Sequence, residues 1–270
     1  MVFLSISCMG RQPLLDGLRD LAALGVDKVE LTGGCQFDPC AKGAMDALEA
    51  TVAALGMECL VHNYFPPQPQ AFVVNLASRD QEDLARLRRL LDASIGLSRR
   101  FGRSTLGVHG PFGTELSAKM GPNDYFQQVD GERLGWEDFE ANMAWISALL
   151  PPGFRLAVEN AFPSPSDPRY SLLASPEDIF RFAALAARLG NVGLLLDIGH
   201  LAVAGHHLGF ALEPFLDTLL AKHPGLILEV HLSHNNGVTD EHRECLPGTF
   251  ALEYVAANRR AFAATPITLE

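Results

Sequence analysis

The segment Leu194-Leu195-Leu196-Asp197-Ile198-Gly199-His200 constrains this chain more than any other. Its apolar run shows no alternation, so a strand formed here is buried on both faces, as in a parallel sheet covered by helices. The strand ends on a carboxylate, with an imidazole three residues beyond. Five other apolar segments end in a similar way: Val61-His62, Val108-His109, Val158-Glu159, Val230-His231 and Leu269-Glu270. One strand that ends in His, Asp or Glu says little. Six of them suggest a ring of ligands at one face of a barrel.

The rest of the chain reads as strands alternating with helices. Strands are expected at 2–6, 28–31, 58–62, 104–109, 155–159, 193–197, 226–231 and 267–270. Helices are expected at 13–24, 41–55, 79–101, 136–150, from Ser175 onward, at 212–223 and at 250–261. Ser175-Pro176-Glu177-Asp178 carries strong start signals: a Ser cap, Pro at the first position and acids in the first turn. Eight strands and about seven helices in strict alternation are the signature of a single (β/α)8 barrel spanning residues 1–270. The helix after the eighth strand is missing. Either the barrel closes by other means or the natural chain continues. Three connections, 63–70, 110–135 and 160–174, are rich in Pro or Gly and read as long loops over one face.

Composition narrows the function classes. The 270 residues hold 21 basic and 32 acidic side chains, a net charge of -11. That disfavours a broad nucleic-acid or anionic-membrane surface. Five cysteines without framework spacing, and no leader-like start, suggest reduced thiols and a cytoplasmic setting. No run approaches the roughly 18 apolar residues of a membrane helix. No Gly-rich phosphate motif follows a strand, so nothing calls for an organic cofactor.

In such barrels the chemistry lies at the carboxyl ends of the strands. His62, His109, Glu159, Asp197, His231 and Glu270 fall there. His200 is expected on the loop after Asp197, and the Asp240-x-His242 pair can reach back over the same face. This mixture of imidazoles and carboxylates suits Zn²⁺, Mn²⁺ or Co²⁺. The bland alternative for any one strand-end His is a hydrogen bond to a neighbouring loop, and Asp197 alone can be a helix cap. His206, His207 and His223 fit the bland reading. His234 is expected as a substrate contact or loop anchor.

Val158-Glu159-Asn160, Leu196-Asp197-Ile198-Gly199-His200, the segment from His231 to His242, and Ile267-Thr268-Leu269-Glu270 resemble the xylose isomerase-like, endonuclease IV-like barrel superfamily. The likeness covers nearly the whole chain, and it implies one of two chemistries on the same site. In the first, a sugar or sugar-phosphate isomerase or epimerase, Glu159, Asp197, His231 and Glu270 would hold one divalent ion, typically Mn²⁺, Mg²⁺ or Co²⁺. Glu159 and Glu270 would be the catalytic pair that moves a proton on and off carbon. His200, His234, Tyr64 and Asn160 would contact a small carbohydrate. The Arg that ketose 3-epimerases place soon after the strand-seven His is absent, which speaks against a simple ketose 3-epimerase.

In the second, an endonuclease IV-like phosphodiesterase, three zinc ions would be held. His62 and His109 would take one with Glu159 bridging, Asp197, His231 and Glu270 the second, and His200, Asp240 and His242 the third. The resemblance thus implies one to three divalent ions per chain. Near the site only Arg133, Arg169 and Arg243 stand out as basic, few for tracking a phosphate backbone, so nucleic acid is the less expected partner. A non-catalytic or partner-dependent pathway component is a third possibility.

Overall fold

A computed structural model describes residues 1–120, 126–129, 133–164, 167 and 170–270. Its elements run β1 (Val2–Ser5), a 3₁₀ turn (Ile6–Met9), α1 (Leu14–Ala23), β2 (Lys28–Leu31), α2 (Ala44–Leu55), β3 (Glu58–Val61), α3 (Gln81–Arg100) and β4 (Thr105–Val108). A hairpin follows, β5 (Leu116–Met120) and β6 (Phe126–Gln128), then α4 (Trp136–Leu149), β7 (Arg155–Glu159), α5 (Pro176–Leu189) and β8 (Val192–Asp197). The chain ends with α6 (Ile198–Leu208), α7 (Leu212–Lys222), β9 (Ile227–Leu232), α8 (Phe250–Ala257) and β10 (Ile267–Leu269).

Eight strands form one sheet in the order β3-β2-β1-β10-β9-β8-β7-β4, every pair parallel. β1 pairs with β10 through Val2–Ile267, Phe3–Thr268 and Leu4–Leu269, so the first and last strands join. The remaining seam lies between β3 and β4, which are adjacent without a shared ladder among the described residues. The result is a nearly closed α/β barrel.

β8 shows why the central segment dominates the fold. All six of its residues are buried, and each Leu side chain withdrawn from water contributes roughly 1.5–3 kcal/mol. The helices cover the outside of the sheet with the stripes expected from sequence. α5 begins with a capping box in which the Ser175 hydroxyl accepts the Asp178 amide at 3.1 Å and Asp178 accepts the Ser175 amide at 3.2 Å. Asp80 caps α3 by accepting the amides of Glu82 and Asp83.

Two local expectations are corrected. His200 is not on a loop: Asp197 caps α6 by accepting the His200 amide at 2.6 Å, so His200 sits in the first turn of an eleven-residue helix. There are accordingly eight α-helices among the described residues rather than about seven. Gly199 allows α6 to start this close to the end of β9, since a Cβ there would lie 2.2 Å from Ser233 Oγ. The second correction concerns 110–135, which was expected as loop throughout; it carries the β5–β6 hairpin, paired through Leu116–Gln128 and Ser117–Gln127. No helix among the described residues is long and apolar enough to cross a membrane.

Candidate metal centre and active site

The nine expected ligands converge above the carboxyl ends of the strands, in three triads whose donor atoms lie within 4.8 Å of one another: His62–His109–Glu159, Asp197–His231–Glu270 and His200–Asp240–His242. Glu159 Oε2 stands 3.4 Å from His62 Nε2 and 3.7 Å from His109 Nε2. Its other oxygen is 3.2 Å from His200 Nδ1. Glu159 therefore reaches between the first triad and the third. In the second triad His231 Nδ1 faces Glu270 Oε1 at 3.4 Å. Glu270 Oε2 is 3.5 Å from His242 Nδ1, which ties the second triad to the third.

Burial makes these groups unusual. Glu159, Asp197 and His231 are each at most 2% exposed. Glu159 Oε2, Asp197 Oδ2, His231 Nδ1 and His62 Nδ1 have no hydrogen-bond partner. Buried polar atoms without partners are costly unless a bound group satisfies them. Burial pushes the Glu159 carboxyl up to about 8 and raises Asp197 as well. Burial also holds His109 down at about 3 and His62 well below its ordinary value, so both are neutral imidazoles suited to ligation. For Glu270 burial works upward but is outweighed by His231, and the carboxyl is lowered. For His200 burial works downward but is outweighed by Asp197 and Asp240, and the ring is raised. A divalent cation fits this donor set: it would replace the protons these groups otherwise share.

The ligands are held by second contacts. Asn160 bridges two strand ends, its Nδ2 donating to the Asp197 carbonyl and its Oδ1 accepting the Asp197 amide, both at 2.9 Å. The Asn160 carbonyl accepts from His200 Nδ1 at 2.9 Å. Asp240 lies under a loop closed by His234, whose backbone exchanges hydrogen bonds with Arg243 at 2.8 and 2.9 Å. Asn235 donates to Asp240 Oδ1 at 3.1 Å and accepts the amides of Glu241 and His242.

A pocket of about 240 Å³ opens over Glu159, His200, Asp240 and Glu270, with Phe112, Phe126, Phe162 and Tyr170 as an aromatic wall. A second recess, on the β1–β2 side, reaches His62, His109, His242 and Glu270 past Ser7, Cys8 and Thr32. Neither has a Lys or Arg among its described lining residues. Arg133 pairs with Asp167, and Arg243 with Glu241 at 2.7 Å; Arg169 lies outside the described residues.

Among the expected substrate contacts, Asn160 and His200 line the aromatic pocket. Tyr64 stands to one side: its hydroxyl accepts the Val74 amide at 3.0 Å, and its ring meets the edge of His109 at 5.6 Å. The His234 ring lines neither opening. Sequence reading passed over Glu30 and Glu229, both almost fully buried beneath the ligands. The available signal was an acid flanked by apolar residues, Val29-Glu30-Leu31 and Leu228-Glu229-Val230, in parallel strands where a polar alternate face is not expected.

Comparison with solved structures finds the same fold. A D-tagatose 3-epimerase-like protein superposes with a TM-score of 0.65 at 17% identity, covering 100% of this chain and 90% of the other. A D-allulose 3-epimerase from Methylomonas sp., in complex with D-allulose, gives 0.65 at 15% identity, over 99% and 82%. The IOLI protein with a bound zinc atom gives 0.66 at 15% identity, over 99% and 87%. At these identities the likeness concerns the fold. No curated protein matches the sequence. The profile described as xylose isomerase-like TIM barrel matches residues 18–265, nearly the whole chain, and the protein belongs to that family.

Proposed function

We propose that this protein is a divalent-metal-dependent isomerase or epimerase acting on an unphosphorylated sugar or similar polyhydroxy carbonyl compound. The observation that carries this reading is the placement of Glu159 and Glu270. They sit at the end of β7 and just past β10, with the Asp197 and His231 strands between them, and both line one small pocket that has no basic side chain in its described lining. A carboxylate on each side of a bound substrate can take a proton from one face of a carbon beside a carbonyl and return one to the other. That is the requirement for inverting a centre through an enediol.

Glu159, Asp197, His231 and Glu270 would hold a divalent ion (zinc, manganese, cobalt or magnesium), which would supply Lewis-acid polarisation of a carbonyl oxygen. The chain's own residues do the rest. Glu159 and Glu270 exchange protons with carbon. His200 lines the pocket where substrate hydroxyls would lie, and Asn160 holds His200 and Asp197 in place. Phe112, Phe126, Phe162 and Tyr170 offer apolar faces and help exclude water. The D-allulose 3-epimerase of similar fold is in complex with D-allulose, which agrees with a carbohydrate substrate. A phosphorylated sugar is the less favoured substrate, because a phosphate would meet no cation in the described lining.

A second reading, a multi-zinc phosphodiesterase, is favoured by one observation: three complete donor triads rather than one. One experiment separates the two. Metal-loaded protein is incubated in D₂O with a panel of unphosphorylated ketoses and aldoses, and deuterium at carbon is read by NMR. In parallel an abasic duplex is offered to the zinc-loaded protein. Carbon-bound deuterium with an uncut duplex is the expected result. A cut duplex with no exchange into any sugar overturns the first reading in favour of the second.

A further inference from the structure

Beneath the ligands, inside the barrel, lies a polar layer that the proposed chemistry leaves unused. Glu30 on β2, Glu229 on β9 and Thr268 on β10 are 0–2% exposed. His231 Nε2 is 2.9 Å from Glu30 Oε2. Thr268, beside His231 in the β9–β10 register, places its hydroxyl 3.3 Å from Glu30 Oε2 and 3.3 Å from Glu229 Oε1. Glu229 Oε1 is itself 3.8 Å from His231 Nε2. Room for this layer comes from Gly107 on β4, where a Cβ would stand 2.6 Å from His62 Nδ1 and 3.5 Å from Glu229 Oε2.

The direction of these contacts matters. A carboxyl withdrawn from water destabilises a core unless something compensates it. Here Glu30 Oε2 lies within hydrogen-bond distance of His231 Nε2, the ring nitrogen other than the one that faces Glu270, and Glu229 stands 3.8 Å from it. When Nε2 donates to Glu30, the lone pair is fixed on Nδ1, the atom that has no partner and faces Glu270. Histidines that bind metals are commonly oriented through their other ring nitrogen in this way, and removal of the orienting group weakens metal binding.

We propose that Glu30 is a positioning residue for the metal ligand His231, and that Thr268 holds Glu30 in place. Glu30 accepts the Nε2 proton and so presents Nδ1 to the ion that Asp197 and Glu270 share. The inference rests on the metal reading of the site and is independent of which substrate the site takes.

The test is a Co²⁺ titration of chelator-stripped protein, followed by visible absorption and by the dissociation constant. Asp197→Asn identifies the ion concerned, as the binding step that this variant abolishes. Glu30→Gln keeps size and an acceptor oxygen but loses the charge. It is expected to weaken that step about 10- to 100-fold and to change its absorption bands, with metal-free folding intact. Thr268→Val is expected to weaken the same step to a smaller extent, and it serves if Glu30→Gln does not fold. Wild-type affinity and spectrum in folded Glu30→Gln, or in Thr268→Val if it is the one that folds, overturn the positioning role while leaving the metal site standing. Unchanged Co²⁺ binding in Asp197→Asn overturns the metal reading itself, and the proposal with it.

Discussion

His200 Nδ1 lies 2.9 Å from the Asn160 carbonyl oxygen, and its Nε2 lies 3.4 Å from Asp240 Oδ2. The carbonyl can only accept, so Nδ1 carries a proton. Without a second proton Nε2 is an acceptor facing another acceptor, and the pair is favourable only with a proton or a cation between them. His242 Nε2, 2.7 Å from the same oxygen, completes the set. The arrangement would suit an ion of its own, distinct from one held by Asp197, His231 and Glu270. Asp240→Asn is expected to lower the number of zinc ions bound at saturation by about one per chain, while Asp197→Asn removes a different one. Isothermal titration with zinc measures both. An unchanged zinc count in Asp240→Asn would assign the His200–Asp240–His242 triad to a proton-sharing loop contact.

Glu159→Gln is expected to lower the rate of carbon–deuterium exchange about 10²- to 10⁴-fold, the usual worth of a positioned proton-transfer group. Glu270→Gln should fall in the same range. Glu159→Gln should leave the metal-free fold intact, because it removes a buried acid and retains its shape, whereas Glu270→Gln also removes the charge that faces His231 and should lower the metal-free Tm. Solvent-exchange NMR gives the rate and thermal unfolding the stability. Wild-type exchange in Glu159→Gln would remove that residue from the proton path.

The metal-free protein should lose stability as pH rises from about 6.5 to 9. Burial pushes Glu30 and Glu159 up to about 8, and the hydrogen bond that His242 donates to Asp240 lifts His242 to about 9. His200 and His231 are raised as well. Each of these groups holds its proton more tightly folded than unfolded. Its contribution is complete below the unfolded value, 4.5 for Glu and 6.5 for His, and is lost as pH climbs through the folded value. His62 and His109, shifted downward, act with the opposite sign but only below 6.5. Bound metal replaces the protons, so the fall should shrink or reverse in the loaded protein. Thermal unfolding across this window, with and without zinc, decides it; a metal-free Tm that stays level or rises would contradict the assignment.

Gly107→Ala should destabilise the fold by about 1–3 kcal/mol, the usual cost of overpacking. The added Cβ would meet His62 Nδ1 at 2.6 Å and Leu195 Cδ1 at 2.9 Å, both buried on every side. His62 must move, so zinc binding at the His62–His109–Glu159 triad is expected to weaken too. Urea unfolding and zinc titration report the two effects, and wild-type values in both would show that the lumen has room to spare.

Much of this was legible from the chain because parallel strands bury both faces. Leu194-Leu195-Leu196-Asp197 shows no alternation, so an acid at its end stands out as a deliberate placement. His62, His109, Glu159, His231 and Glu270 were found by the same logic, and the barrel topology then brought them together. α6 was missed because Asp197 serves as both candidate ligand and helix cap, and Gly199 disguises the first turn of a helix that packs against Ser233. The β5–β6 hairpin was hidden in a Gly- and Pro-containing stretch whose pairing depends on the barrel beneath it. The resemblance implies Tyr64 as a substrate contact; its bond to the Val74 amide joins residues ten apart and is not legible in the local sequence. Glu30 and Glu229 needed the closed barrel, because an acid inside a four- or six-residue strand reads as solvent-facing until the strands around it are known.

The central claim is that the strand ends form a divalent-metal site, and elemental analysis tests it most directly. Wild-type protein is purified without added metal, then measured as isolated and again after incubation with zinc or manganese and desalting. The account predicts at least one tightly held divalent ion per chain, up to three with zinc, and its loss from the Asp197 site in Asp197→Asn. Protein that retains no ion after either incubation would contradict the account, and the buried carboxylates and imidazoles would then have to share protons alone.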